Sequence, residues 1–188
     1  MKLTNNNYTS LEAIRAGIQR HEFPWCVILG NGSSINDLDL DRVASFFTIG
    51  INRIGRAFTP DVHVSVDMPA CISASPAKVS WQGYEDPIYI RLPGVNKIPS
   101  VPLACHIAMK LGFRILYLCG ADYKGNYFWG ADPRKERGNH LYYRSIIKAQ
   151  LTHIHSISES LIHKGGQMFN CSNDTEIEFL EYSGVLNA

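Results

Sequence analysis

Apolar residues along this chain fall into short continuous runs, and between the runs the apolar spacing lengthens from every second residue to every third or fourth. The runs at 26–29, 47–51, 115–119 and 168–170 read as buried strands. Residues 62–66 alternate and predict another strand, with Asp67 at its C-terminal end, and 88–90 predict a short one. Helical spacing marks 9–20, where Leu11, Ile14 and Ile18 share a face, a short stretch through Leu38, Val43 and Phe46, and 100–111. Pro102 suits the first turn of that last helix and Gly112 its C-terminal cap. A long helix is predicted from about 141 to 163, stopped by Gly165-Gly166, and a last one over 176–181. Residues 69–87 are rich in Pro, Ser, Ala and Gly and receive no assignment. Residues 121–139 carry aromatic, charged and glycine residues without a period and form a candidate lid loop.

Strands alternate with helices, and most strands are apolar throughout. That pattern predicts an α/β protein: a Rossmann-like three-layer sandwich with a mainly parallel sheet, in a single nucleotide-binding domain over 1–188. In such sheets a ligand lies outside the C-terminal strand ends. The polar residues delivered there are Gly30 to Ser34, Asn52 and Arg53, Asp67, Gly120 with Asp122 and Tyr123, and Asn170 with Ser172.

Composition narrows the classes. A length of 188 residues with 45% hydrophobic content is enough for a sizeable core. A formal net charge of +1 argues against strong duplex binding, so a nucleic-acid partner is not favoured. The five cysteines Cys26, Cys71, Cys105, Cys119 and Cys171 fit neither a zinc pattern nor a paired framework, and predict reduced thiols in a cytoplasmic setting. No apolar run has the length of a membrane span, and residues 1–7 lack a signal-peptide core.

The most informative stretch is Gly30-Asn31-Gly32-Ser33-Ser34, a small-residue turn between a buried strand and a helix start. Glycines there allow positive φ and close approach of backbone amides to a ligand. Serine hydroxyls add donors, and a helix N-terminus favours phosphate. The run lacks the third glycine of the dinucleotide fingerprint and the Gly-Lys-Ser/Thr of a P-loop. An ordinary tight turn with no ligand is the competing reading.

Several segments together resemble one superfamily: Gly-Asn-Gly-Ser-Ser at 30–34, Ile-Asn-Arg at 51–53, Pro-Asp-Val-His-Val-Ser-Val-Asp at 60–67, the stretch 108–123 ending Cys-Gly-Ala-Asp-Tyr, and Asn-Cys-Ser at 170–172. Their order is similar to that of the MptE-like (hydroxymethylpterin diphosphokinase) family and the bacterial CMP-sialic-acid-dependent sialyltransferases. Small single-domain relatives of this kind look like phage-encoded proteins. Many relatives carry Gly-Pro-Ser where this chain has Gly32-Ser33-Ser34, and the sialyltransferases have a longer lid. The resemblance implies a nucleotide-dependent transferase, closest to a small glycosyltransferase using a CMP- or UDP-type nucleotide-sugar.

On this reading Gly30, Asn31, Gly32, Ser33, Ser34, Asn52, Arg53, Asp67, Gly120, Tyr123 and Ser172 hold the nucleotide, with Asp122 beside the reacting groups. His140, which follows the irregular segment and precedes the long helix, is the expected base toward an acceptor hydroxyl. The acceptor itself is not indicated. No resident metal is assigned; a diphosphokinase alternative would place magnesium at Asp67 and Asp122. A third reading is a non-catalytic nucleotide-binding or sequestering protein. The aromatic and basic residues Tyr127, Phe128, Trp129, Arg134, Lys135 and Arg137 would stack on a base or form a homo-oligomer contact.

Overall fold

The computed structural model describes residues 8, 10–18, 25–66, 75, 77–80, 89–91, 98–124, 127–130 and 140–188, with the side chains of 80, 89–91 and 140–143 excepted. The strands are β1 (Trp25–Leu29), β2 (Phe47–Ile51), β3 (Val62–Val64), β4 (Ala77–Ser80), β5 (Tyr89–Arg91), β6 (Ile115–Cys119), β7 (Gln167–Asn170) and β8 (Glu181–Tyr182). They form one sheet in the order β5-β4-β3-β2-β1-β6-β7-β8, and every pairing is parallel. The helices are α1 (Leu11–Gly17), α2 (Leu40–Val43), α3 (Ser100–Leu111) and α4 (His140–His163). The expected α/β fold with a parallel sheet is the fold observed.

The apolar strands are buried on both faces because successive side chains point to opposite sides. Cys26, Ile28, Leu116 and Leu118 join α1, α3 and α4 in one core. Val27, Leu29, Tyr117 and Cys119 meet Ile35, Val43, Ile54 and Leu186 in the other. The second face has no long helix among the described residues. It is covered by the 3-10 turn Ser33–Asp37, by α2 and by residues 184–188. Those last residues are tied down by Asp39 N donating to Leu186 O and Ala188 N to Asp37 O, both at 3.0 Å. Trp25, Phe46, Tyr117 and Phe169 add an aromatic row, with Trp25–Phe46 and Tyr117–Phe169 stacked at 6.0 and 5.3 Å.

Some elements differ from the sequence expectation. The first helix covers Leu11–Gly17 rather than all of 9–20. The stretch through Leu38 shortens to α2, because Asp39 caps it through Arg42 N and the chain before it winds into the 3-10 turn. The unassigned region holds β4. No helix forms over 176–181; instead β8 joins the edge beside β7. Side chains there capture the backbone: Ser172 N donates to Asn170 Oδ1, Ser172 Oγ to Asp174 O, and Ile177 N to Thr175 Oγ1. Such local bonds compete with helix formation. The helix at Ser100–Leu111 and its cap at Gly112, φ 103°, lie where the spacing places them.

β2 and β3 are joined by a buried polar clamp that the apolar pattern does not reveal. Thr48 N and Oγ1 both donate to Asp61 Oδ2 at 2.9 Å, and Asp61 N donates back to Thr48 Oγ1 at 3.0 Å. Asp61→Ala would strand a buried amide and hydroxyl, so it should lower stability by about 1–3 kcal/mol. Urea unfolding checks this; a loss within about 0.5 kcal/mol, the range of a neutral surface change, would refute the clamp's role.

Candidate functional site

Strand order reverses at β1, whose neighbours are β2 and β6. The C-terminal ends of β1 and β6 therefore flank the switch point where open α/β sheets bind ligands. The residues found there are Gly30 to Ser34 after β1 and Gly120 to Tyr123 after β6. Leu29 is in register with Cys119, so the two loops leave the sheet side by side.

They do not part. Gly30 N donates to Cys119 O and Gly32 N to Gly120 O, both at 2.7 Å, extending the ladder past the strands. Space decides the glycines. A Cβ at Gly30 would overlap the Gly120 carbonyl oxygen, one at Gly32 would overlap the Asp122 carboxylate, and one at Gly120 would overlap Ile35. The expectation of positive φ in the first loop is corrected: Gly120 has φ 64°, whereas Gly32 has φ −67° and Gly30 is not in the left-handed region. These glycines admit a neighbouring strand end.

Asp122 completes the junction. It is buried, with Oδ2 accepting Ser34 N at 3.0 Å and Oδ1 accepting the Ser34 hydroxyl. Its own carbonyl accepts Glu176 N at 2.9 Å. The first turn of the Ser33–Asp37 segment thus already holds an anion, and that anion is the chain's own. A phosphate placed at the same amide would meet a carboxylate. Sequence reasoning named both Ser34 and Asp122 but not the bond between them. The signal was the spacing: each lies a few residues past paired strand ends.

The described part of the irregular segment folds over this junction. Tyr127 and Gly130 close a turn through N–H···O bonds of 2.9 and 3.0 Å, and Phe128 N donates to Asn31 O at 3.0 Å. Tyr127 and Trp129 stack at 4.4 Å, and the Arg53 guanidinium carbon lies 5.4 Å from the Trp129 ring centre. Arg53 comes from the end of β2, so this cation–π contact links a second strand end to the turn. Asn31 Oδ1 is buried without a donor among the described residues. Ser33 is half-buried beside it.

The other expected residues are distributed as follows. Asn52, with φ 50°, is a polar hub: its Nδ2 donates to Ser100 Oγ at 3.1 Å at the start of α3, and its carbonyl accepts His63 Nε2 at 2.6 Å. Tyr123 donates its hydroxyl to Gln150 of α4 at 3.0 Å. Ser172 is buried in its own turn with Asn170, away from the glycine junction in its bonding. Asp67 lies outside the described residues, as do 125–126 and 131–139 of the candidate lid. His140 is the first residue of α4; its side chain is not described. α4 has 24 residues, about 36 Å, against about 17 Å for the five of β6. Gln150, which meets Tyr123 just past β6, lies ten residues or about 15 Å along the helix from His140, so its first turns extend beyond the strand ends.

The buried groups restrict the chemistry. Burial raises the thiols of Cys26 and Cys119 well above their ordinary range and pushes Cys105 up to about 12, so these are not thiolate nucleophiles. Among the described residues no three His, Cys, Asp or Glu side chains gather as a metal site. No described helix is long and apolar enough to cross a membrane. No family model, curated protein or solved structure matches the chain.

Two outcomes follow. Gly32→Ala should destabilise by about 1–3 kcal/mol, the scale of overpacking, because its Cβ displaces Asp122. Denaturant melts on Gly32→Ala and on Ser34→Ala, which removes one bond without a clash, separate packing from ligand effects; full stability in Gly32→Ala would refute the assignment. Second, burial lowers the His63 pKa, opposed by its bond to Asn52 and reinforced by Lys78. Above about pH 6.5 both folded and unfolded His63 are neutral and its contribution is intact. Below it the unfolded chain takes a proton that the folded chain refuses, so stability falls with pH until the lower folded pKa is passed. The slope attributable to His63 is at most about 1.4 kcal/mol per pH unit. Unfolding at several pH values should show a shallower slope in His63→Gln.

Proposed function

We propose that the chain is a nucleotide-dependent transferase of the sialyltransferase-like kind, holding a CMP- or UDP-type nucleotide-sugar at the switch point between β1 and β6. The observation that carries this reading is the convergence there of the glycine junction, the Asn31 acceptor and the Arg53–Trp129 pair. The start of α3, with Ser100 beside Asn52, faces the same rim, and helix N-termini favour anionic ligands. The motif order that resembles the superfamily adds the transferase class. Because Gly30, Gly32 and Ser34 donate their amides within the protein, the ligand's contacts fall to side chains: Asn31, Ser33 and Arg53, with the stacked Tyr127 and Trp129 offering a ring face.

In transfer, His140 would remove the proton of the acceptor hydroxyl as the new glycosidic bond forms and the nucleotide leaves. A second reading has a specific observation behind it. Both Asp122 oxygens are engaged by Ser34, which suits a structural carboxylate and favours nucleotide binding without turnover. Magnesium-dependent diphosphate transfer has no comparable support, since it relies on that carboxylate and on Asp67.

Calorimetry with CMP, UDP, their sugar conjugates and ATP with magnesium tests binding. A cytidine or uridine ligand should bind, and Asn31→Ala and Arg53→Ala should each weaken it about tenfold, or about 1.4 kcal/mol. Absence of binding by every nucleotide would overturn the proposal. If a donor binds and is consumed, His140→Ala should lower turnover about a hundredfold, with affinity unchanged and His153→Ala silent. Binding without turnover selects the second reading.

A further inference from the structure

The rim opposite the glycine junction carries a cleft that the function above does not use. It has a volume of about 290 Å³ and is walled by Arg15, Lys110, Arg114 and Lys164. Arg15 lies in the last turn of α1, Lys110 in the last turn of α3, and Lys164 directly follows α4. Arg114 precedes β6. No carboxylate lines the cleft among the described residues. The ion pairs seen among the described residues, Lys124–Asp174 and His155–Glu159, lie elsewhere.

Cations at helix C-termini have a structural use, since they offset the partial negative charge of the last carbonyls. That use accounts for only part of the charge here. Three helix ends bring roughly half an elementary charge each, about 1.5 in all. The four side chains bring four formal positive charges. Among the described residues a net positive charge of about 2.5 remains in one concave site. The same field reaches His106, whose pKa is lowered first by burial and then by His153, Lys110 and Lys164.

The site is also shaped. Arg114 Nη1 donates to Lys164 O at 3.0 Å, which fixes one guanidinium; its other N–H groups have no acceptor among the described residues. Gly112 at φ 103° leaves room beneath Arg15: a Cβ there would come no closer than 4.0 Å to its Nη2. Phe113 and Leu161, both buried, form an apolar floor that limits water beneath the charges.

We propose that this cleft binds a compact polyanion carrying a diphosphate group. The volume lies at the lower end of small-molecule sites. Arginine forks pair bidentately with phosphate oxygens, and lysines supply the remaining point charge. A single phosphate would engage only part of the set. The inference is independent of the nucleotide reading above, because the two sites lie on opposite rims and share no residue.

Calorimetry on the whole chain with pyrophosphate, inorganic phosphate, UDP and a short DNA duplex tests it. Pyrophosphate should bind saturably and at least about tenfold more tightly than phosphate, the gain expected from a second charge-assisted pair. Arg15→Ala and Lys110→Ala, both at exposed positions, should each weaken it severalfold, while Lys148→Ala, an exposed cation of α4 outside the cleft, should not. Asn31→Ala should leave pyrophosphate binding unchanged. UDP binding that survives Asn31→Ala but falls with Lys110→Ala would show that the diphosphate is accepted on a nucleoside; UDP binding with the reverse dependence leaves free diphosphate as the ligand class of the cleft. Absence of saturable binding, equal losses in all three cation variants, or loss in Asn31→Ala would overturn the inference. So would a duplex that binds more tightly than pyrophosphate with the same dependence on Arg15 and Lys110.

Discussion

The junction between the ends of β1 and β6 is the constraint on which the rest of this molecule depends. Two strands far apart in sequence lie side by side at the centre of the sheet, and their loops stay joined beyond it. Gly30, Gly32 and Gly120 are small because the loops touch, and the Asp122 carboxyl is held in place by two donors from Ser34. The residues proposed to contact a nucleotide are gathered at this seam: Asn31 lies within it, Phe128 bonds to it, and Trp129 brings Arg53 to it. A seam built this way is stiff and is flanked by a turn of stacked aromatic rings. On the proposed nucleotide reading, specificity comes from side chains at its margin rather than from a flexible amide cradle.

Much of the fold was legible because it rests on periodicity. The runs at 26–29, 47–51 and 115–119 are apolar throughout, and only a strand covered on both faces calls for that. α3 announced itself through Pro102 and Gly112. Other parts depended on contacts between remote residues. The region of β4 lacks an apolar run long enough to stand out, and the 176–181 segment has helical spacing that Asn170, Ser172 and Thr175 override locally. At the site, residue types were readable but partners were not. Ser34 and Asp122 are separated by 88 positions, and only the register of β1 on β6 makes them neighbours. Asn52 was readable as a polar residue at a strand end, and its bonds to Ser100 and His63 were not.

The two rims of the sheet differ in their electrostatics for a reason built into parallel topology. The connections that return the chain send helix starts to one rim and helix ends to the other. At the glycine junction a buried carboxylate meets the positive end of a short turn. At the opposite rim arginines and lysines meet negative ends and exceed them. A net charge of +1 for the whole chain conceals this separation. Composition alone therefore describes the average surface and misses both the polar junction and the basic cleft.

The second core carries a consequence for how the chain folds. Its cover over α2 is supplied by Leu186, which is fully buried in one cluster with Val27, Leu38 and Val43 from far earlier in the sequence. Parallel strands cannot zip up as hairpins, and here the outermost layer of one face bridges Leu38 to Asn187. Loop closure over such separations is slow, and the sheet stays exposed until it is achieved. A chain in which residues 184–188 have not docked would display Val43, Tyr117 and their neighbours to the surroundings. Closure of this face therefore waits on the docking of residues 184–188, and until then the sheet is open to chaperones and to self-association.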